Sequence, residues 1–516
     1  MSASRKSNVT AFWRTLLVAS SSLALVSAGL TGEKDQINSN RNESTVFRLT
    51  VIHINDMHSR FEQVNSVSNK CATQDAEARN CYGGFARVRS ASRTAKFEAQ
   101  RAGRSVLFLN AGDTYQGTPY YNLFKWKVVA PFVEKMGFDA MALGNHEFDD
   151  GPDGLHPYLQ NISAPTLACN LDLSDQPSMN VSNLKSSIMF NFTNFKVGVV
   201  GYLTPETAIV AKPERVKFLP EIPEIQRETD KLRQDGANIV IALGHSGIEK
   251  DKQIAEQVEG IDLVIGGHSH SLLHNGTQPS TEPIVGNYPT VVKQKTGKEV
   301  LVLQAYAFTK YLGIINLDYS SDGKLLSYEG NTKLLDSSVE EDVEILEELE
   351  PWRRVIDKKS HTKLGKTKVF LDAGFETRKG ESLKVEFDIN NPPGSRVVKL
   401  LARCSECLVP EYLPVEMEKE YGILTTTYLA DGGDGFQMFK NNHSSILPDK
   451  DTDIVTEYLK RLSPIYPARE GRIIVKNFDT KDEYSSNEIS GAGKQRLSNS
   501  VTAVILISTS LHILQS

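Results

Sequence analysis

The chain has no excess of positive charge. Its 58 lysines and arginines face 64 aspartates and glutamates, a formal net charge of −6. A basic footprint for nucleic acid is therefore missing, and nucleic acid is not an expected partner. Cysteine is sparse, at five in 516 residues. The close pair Cys404 and Cys407 has no second pair to complete a tetrahedral zinc site. Histidine is scarce too, at 11, so the place of each one is informative. The apolar runs that stand out are terminal and too short to span a bilayer comfortably. What remains, 40% hydrophobic and 24% charged, suits a globular chain with room for two or more domains.

The terminal runs carry their own reading. Arg5, Lys6 and Arg14 precede an apolar stretch from Leu16 to Val26 and the small residues Ser27 and Ala28, a secretory signal pattern over residues 1–28. At the other end, Val501 to Leu514 is apolar and follows a polar spacer with Lys494 and Arg496. The small triplet Ser490-Gly491-Ala492, or alternatively Ser485-Ser486-Asn487, supplies an attachment site, so residues 479–516 read as a spacer and glycolipid (GPI) anchor signal. The expectation is a protein on the extracellular face of the plasma membrane, held by lipid alone. In that compartment the N-x-S/T sites at Asn42, Asn161, Asn180, Asn191, Asn275 and Asn442 predict glycosylation. Cysteines are expected oxidised where geometry allows: Cys71 and Cys81 flank a polar loop, Cys404 and Cys407 are adjacent in sequence, and Cys169 reads as a free core thiol.

One pattern repeats through the first part of the chain: an apolar strand, then glycine or a polar turn, then Asp, Asn or His. Phe47 to Ile54 leads into Asp56 and His58, and Ser105 to Asn110 into Asp113. Phe138 to Ala142 leads through Gly144 into Asn145, His146 and Asp149. Lys196 to Tyr202 is a further strand. Asn238 to Leu243 leads into His245, and Asp262 to Ile265 into His268 and His270. Helical patterns such as Ile222 to Gln234 and Lys250 to Val258 lie between. Strands alternating with helices predict an α/β sheet, whose strand carboxyl ends are where ligands bind. A lone strand-end histidine is usually structural; five of them, with Asp56, Asp113 and Asn145, are a site.

Seven such groups, Asp56, His58, Asp113, Asn145, His245, His268 and His270, are too many for one catalytic zinc, which needs three protein ligands. They suit two divalent metals sharing a carboxylate, the arrangement that clamps the oxygens of an in-line phosphoryl displacement. His146 has no evident ligand role. Beside Asp149 it reads as the group that stabilises the phosphoryl transition state and assists the leaving oxygen.

Further on, Ser337 to Lys358 has a capping serine, acidic residues early and basic residues late, and reads as a connector helix that Pro351 kinks or splits. Beyond it lie strand patterns at Lys368 to Leu371, Leu383 to Asp388 and Arg396 to Leu400. A glycine-rich loop then offers Asp434 to a ribose hydroxyl and Tyr428 and Phe436 to a base; the alternative is a hairpin with core aromatics.

The ordered motifs D-x-H (Asp56, His58), G-D (Asp113), G-N-H-E-x-D (Asn145 to Asp149), G-H-S (His245) and G-G-H-S-H (His268, His270) resemble the metallophosphoesterase pattern. With Tyr115-Gln116-Gly117-Thr118-Pro119 and Gly432-Gly433-Asp434-Gly435-Phe436-Gln437-Met438, the chain resembles the secreted 5′-nucleotidase/apyrase family from about Phe47 to Val475, and most of all its glycolipid-anchored ecto-5′-nucleotidases. The resemblance implies a four-layer α/β metallophosphoesterase sandwich (residues 45–336), a linker helix (337–363) and a shortened α+β nucleotide-binding domain (364–478). One metal, with zinc implied, would take Asp56, His58 and His270, and the other Asn145, His245 and His268, with Asp113 bridging. His146 and Asp149 would be the catalytic dyad, Asp434 the ribose contact and Tyr428 one of two aromatics around the base. The implied activity is release of phosphate from nucleoside 5′-monophosphates such as AMP, and the implied assembly a homodimer through the second domain. The family's N-G-G-G-I-R motif and P-F-G-containing strand do not occur here, and Leu364 to Val475 is only about 110 residues. That block would bring an arginine clamp and the second aromatic. Two alternatives therefore stand beside the main one: an apyrase-like ATP/ADP hydrolase, and a catalytically impaired surface protein acting as a binding partner.

Overall fold

Strand Phe47–Ile54 is apolar on both faces because both are covered: Leu49 and Val51 enter one hydrophobic core, Ile52 and Ile54 another. The computed structural model describes residues 46–361, 383–416 except 393, 405, 406, 408 and 410, then 419, 451–464 and 473–476. Phe47–Ile54 is an interior strand, third in a seven-stranded sheet. Its order is Leu325–Leu334, Tyr311–Tyr319, Phe47–Ile54, Ser105–Asn110, Ala140–Ala142, Thr166–Leu167 and Leu184–Lys185. A six-stranded sheet runs Thr290–Lys293, Glu299–Leu303, Leu263–Ile265, Ile239–His245, Phe195–Leu203 and Ser187–Phe192.

The sheets pack face to face through Leu49, Val51, Leu107 and Leu109 against Val197, Val199, Ile241 and Leu243. Helices Phe85–Arg101 and Trp126–Met136 cover the outer face of the first sheet, and Glu221–Gln234 and Ile248–Gln257 that of the second. This is the expected helix–sheet–sheet–helix stack. The central strands pair in parallel: Phe47–Ile54 with Ser105–Asn110, and Ile239–His245 with both Phe195–Leu203 and Leu263–Ile265. Parallel strands release their carboxyl ends on one side, where a site can gather.

The connector departs from expectation in its cap, and Pro351 does not split it. Its helix runs Val343–Ser360, and its cap is Asp342, whose side chain accepts the Ile345 N–H at 3.2 Å. Ser338 instead binds the Asp336 carboxylate at 2.6 Å and closes a turn ahead of the helix. Pro351 lies inside one continuous helix. Proline removes a single backbone donor, while residues on both sides of it hold the helix to the same surface. Ile345 and Leu349 are fully buried, Trp352 packs edge-on against Phe124 at 4.8 Å, and Arg353 meets Glu62 at 2.7 Å.

In the C-terminal region a smaller sheet runs Tyr412–Pro414, Val397–Arg403, Leu383–Asp388 and Ile473–Lys476, with Val385 and Phe387 buried and the helix Asp451–Leu462 preceding its last strand. Cys71 is bonded to Cys81 and Cys404 to Cys407, and Cys169 is a buried free thiol. The terminal signals, the strand pattern at 368–371, and Tyr428 and Asp434 with their glycine-rich loop lie outside the described residues. Among those described, no helix is long and apolar enough to cross a membrane.

Candidate metal centre

His245 is the last residue of its strand, and the other six metal-ligand candidates and the His146–Asp149 pair lie beyond the carboxyl ends of strands from both sheets. The chain leaves strand geometry abruptly there. Asp56, His58, Asp113, His268 and His270 all adopt left-handed backbone, with φ of 49°, 47°, 54°, 77° and 49°. Non-glycine residues persist in that region only where their surroundings over-determine them, and such residues cluster at functional sites. The loops after Phe47–Ile54 and Ser105–Asn110 stay zipped together. Asp56 N–H donates to Gly112 O at 3.0 Å, and His58 N–H to Asp113 O at 2.9 Å. Two glycines are required for this closeness. A Cβ on Gly112 would meet Gly144 N at 2.6 Å, and one on Gly267 would meet His245 Nδ1 at 2.6 Å and Asp56 Oδ2 at 2.9 Å.

The side chains form two groups around Asp113. His270 Nε2 lies 3.1 Å from Asp56 Oδ1 and 3.0 Å from His58 Nε2, which is itself 3.8 Å from Asp56 and 3.9 Å from Asp113. On the other side, His245 Nε2 is 2.9 Å from Asp113 Oδ2, and His268 Nδ1 is 2.9 Å from Asn145 Oδ1. The ligating atoms of Asp56, His58 and His270 fall within 4.8 Å of one another, and so do those of Asp113, His245 and His268. A third such group, His58, Asp113 and His146, brings His146 to the same place. Its Nδ1 is engaged by Asp149 Oδ2 at 2.9 Å, the pairing expected from the sequence.

This donor set fits metal cations. Asp56 and Asp113 are 0% and 2% exposed, and among the described residues they form ion pairs only with histidines. His245 Nδ1 lies 2.8 Å from the Ala111 carbonyl, an outer contact that fixes the tautomer and turns the Nε2 lone pair inward. That Nε2 is buried and out of line for a hydrogen bond despite its 2.9 Å approach to Asp113. Burial opposes a proton on His245, but Asp113 and Asp56 outweigh it and raise its pKa to about 10. The carboxylates thus draw positive charge to their centre. Burial holds His58 and His268 down at about 4, leaving their lone pairs available.

The sequence pattern gives no role to Glu147, inside the G-N-H-E-x-D motif. It is buried and accepts four backbone N–H groups, from Asp113, Thr114, Tyr115 and Gly144, at 2.7–3.0 Å. Its position between Asn145 and Asp149 was the available signal. Gln304 and Phe308, behind His268 and His270, had no comparable signal.

The chain matches the calcineurin-like phosphoesterase family over residues 49–272 and the 5′-nucleotidase C-terminal domain over residues 346–441. Snake venom 5′-nucleotidase of Gloydius brevicauda is 35% identical, the alignment covering 83% of this chain and 89% of that protein. The 5′-nucleotidase of Mus musculus is 35% identical over 83% of this chain and 91% of its own length. That alignment has 533 positions against 83% of 516 residues, so about a hundred positions have no residue in this chain. Among solved structures, the 5′-nucleotidase precursor of Thermus thermophilus superposes with a TM-score of 0.68 at 26% identity, covering 84% of this chain and all of that one. The calcineurin-like phosphoesterases use a divalent metal pair, and this chain has the ligand groups for one. From the two matched domains and these relatives, the chain belongs to the 5′-nucleotidase family of metallophosphoesterases.

Proposed function

We propose that this protein is an extracellular 5′-nucleotidase that releases phosphate from nucleoside 5′-monophosphates, AMP to adenosine. The observation that carries the reading is the convergence of seven oxygen and imidazole donors with the His146–Asp149 pair, in a chain about one-third identical to 5′-nucleotidases. Asp56, His58 and His270 would hold one cation and Asn145, His245 and His268 the other, with Asp113 between them. Three carboxylate or amide oxygens and four imidazoles suit zinc better than magnesium or calcium. When bound, the pair supplies Lewis-acid charge to the phosphoryl oxygens and lowers the pKa of water.

The chain's own residues do the rest. Asp149 holds His146 by Nδ1, so the proton at Nε2 is the one offered to the phosphoryl group and the leaving oxygen. The left-handed loops pre-position the donors, so little reorganisation accompanies reaction. We assign residues 45–336 to this chemistry, 337–363 to the linker and 364–478 to nucleotide binding, with Asp434 on the ribose and Tyr428 on the base. A secretory signal at 1–28, a glycolipid anchor at the other end and a homodimer complete the reading. The sequence patterns support the first two, and the family resemblance the third.

The relatives are named 5′-nucleotidases, which favours monophosphates over an apyrase-like preference for ATP and ADP. The deciding assay measures phosphate release from AMP, ADP and ATP by purified ectodomain, with zinc or with chelator. Zinc-dependent release from AMP is expected. A protein that binds two ions yet releases nothing would show that the hundred-position gap has removed nucleotide delivery.

A further inference from the structure

The segment from Gln304 to Thr309 contributes no metal donor, yet it touches every residue of the Asp56, His58 and His270 group. Phe308 donates its N–H to Asp56 O at 2.7 Å. Its ring centre lies 5.4 Å from that of His58 and 5.0 Å from that of His270, edge-on to the latter. The Arg60 guanidinium sits over the same ring at 5.0 Å. Ala305 N–H donates to Asn55 Oδ1 at 2.9 Å, and Asn55 Nδ2 in turn donates to Asp56 Oδ2 at 2.7 Å.

Gln304 works on the loop behind. It is fully buried and uses both ends of its amide. Oε1 accepts Ser271 N–H at 2.6 Å and Ser269 Oγ–H at 3.1 Å, while Nε2 donates to Gly267 O at 3.0 Å and to Asp251 Oδ2 at 3.2 Å. The left-handed His268 and His270 lie between these anchor points. Tyr306, Phe308 and Thr309 are themselves left-handed, with φ of 60°, 59° and 61°. Such backbone is seldom kept in a passive loop.

We infer that Phe308 is the positioning wall of one cation site and sets the ring planes of His58 and His270, while Gln304, on the same segment, braces the loop that carries both His268 and His270. Among the described residues, Phe308 makes no ring contact or hydrogen bond with Asn145, His245 or His268, so its influence is confined to the Asp56 side. Phe308 and Gln304 are positioning residues, acting through the ligands. The inference rests on the ligand assignment proposed above.

The test is a zinc titration of metal-free protein against a competing chromogenic chelator, comparing wild type, Phe308→Ala, Phe308→Tyr and His58→Ala. Phe308 is only half-buried, so its variants are expected to fold. The wild type binds two ions. Phe308→Ala should keep one affinity unchanged and lose about 10–100-fold in the other, the usual effect of removing an outer contact. Phe308→Tyr, which keeps the ring, should restore it. Two wild-type affinities in Phe308→Ala, or equal weakening of both, would overturn the wall. Two ions bound by His58→Ala would instead overturn the ligand assignment, so the two failures are distinguishable.

Discussion

The carboxylate of Glu147 accepts the backbone N–H of Gly144 at 2.7 Å and that of Asp113 at 3.0 Å, tying two strand-end loops into one unit. Its other oxygen takes Thr114 N–H at 2.8 Å and Tyr115 N–H at 3.0 Å. Asp113, Asn145 and His146 are therefore placed by a side chain outside the candidate ligand groups. Glu147→Gln would turn an NH2 group towards two N–H donors. Buried hydrogen bonds to a charged group contribute about 1.5–3 kcal/mol each, so losing two is expected to cost about 3–6 kcal/mol. The denaturant midpoint should fall with the m-value unchanged, and bound metal should fall with it. Wild-type stability in this variant would show that the four contacts add nothing.

His146 is the proton carrier in this reading, not a ligand. Its Nδ1 is taken by Asp149, and only its nearness to His58 and Asp113 suggests coordination. His146→Ala should lower kcat by about 10²–10⁴-fold, the range for a lost general acid, with two ions still bound. Metal analysis decides the matter, because loss of an ion would make His146 a ligand.

The same pair predicts a pH profile. Burial disfavours a proton on His146, but Asp113 and Asp149 outweigh it and raise its pKa to about 9. Asp149 is itself pushed upward by burial, yet the 2.9 Å contact favours one proton shared as an ion pair. With the folded pKa above the free value, the protonated donor is present at neutral pH and is lost as pH rises through about 9. Cations bound at Asp113 oppose that rise, so the limb in the loaded enzyme lies below this figure. Asp149→Asn should move the alkaline limb of kcat to lower pH. An unmoved limb would assign it to another group.

Much of the site could be read from the sequence because its donors are polar residues interrupting the ends of apolar strands. Asp56 and Asp113 follow a buried run and His245 ends one, and two sheets whose central strands are parallel bring such ends together. Gln304 and Phe308 could not be read that way. Gln304 closes an apolar strand, and its partners lie more than 30 residues away in sequence. The connector cap shows a different limit. Ser337, Ser338 and Asp342 all have the chemistry to cap, and packing of Ile345 and Leu349 selects Asp342. Pro351 reads as a break until the surfaces on both sides of it are known.

His53 is one of the 11 histidines, and the sequence alone hides it inside a strand. It is fully buried, with Nε2 2.9 Å from the Tyr288 hydroxyl and Nδ1 without a hydrogen-bond partner. Burial lowers its pKa to about 3, so it is neutral in the fold and becomes charged in the unfolded chain below about 6.5. A depressed pKa means the unfolded chain binds the extra proton. The contribution of His53 to stability is therefore complete above about pH 6.5 and shrinks as pH falls towards about 3. Its share of the slope approaches about 1.4 kcal/mol per pH unit in that window. His53→Phe keeps an aromatic ring over Gly313 and cannot titrate. Denaturant unfolding of metal-free wild type and variant between about pH 4 and 6.5 should give a shallower dependence for the variant, whatever their absolute stabilities. Parallel curves would mean that His53 takes up its proton in the folded protein, through an opening of the strand that carries Asp56 and His58 at its end.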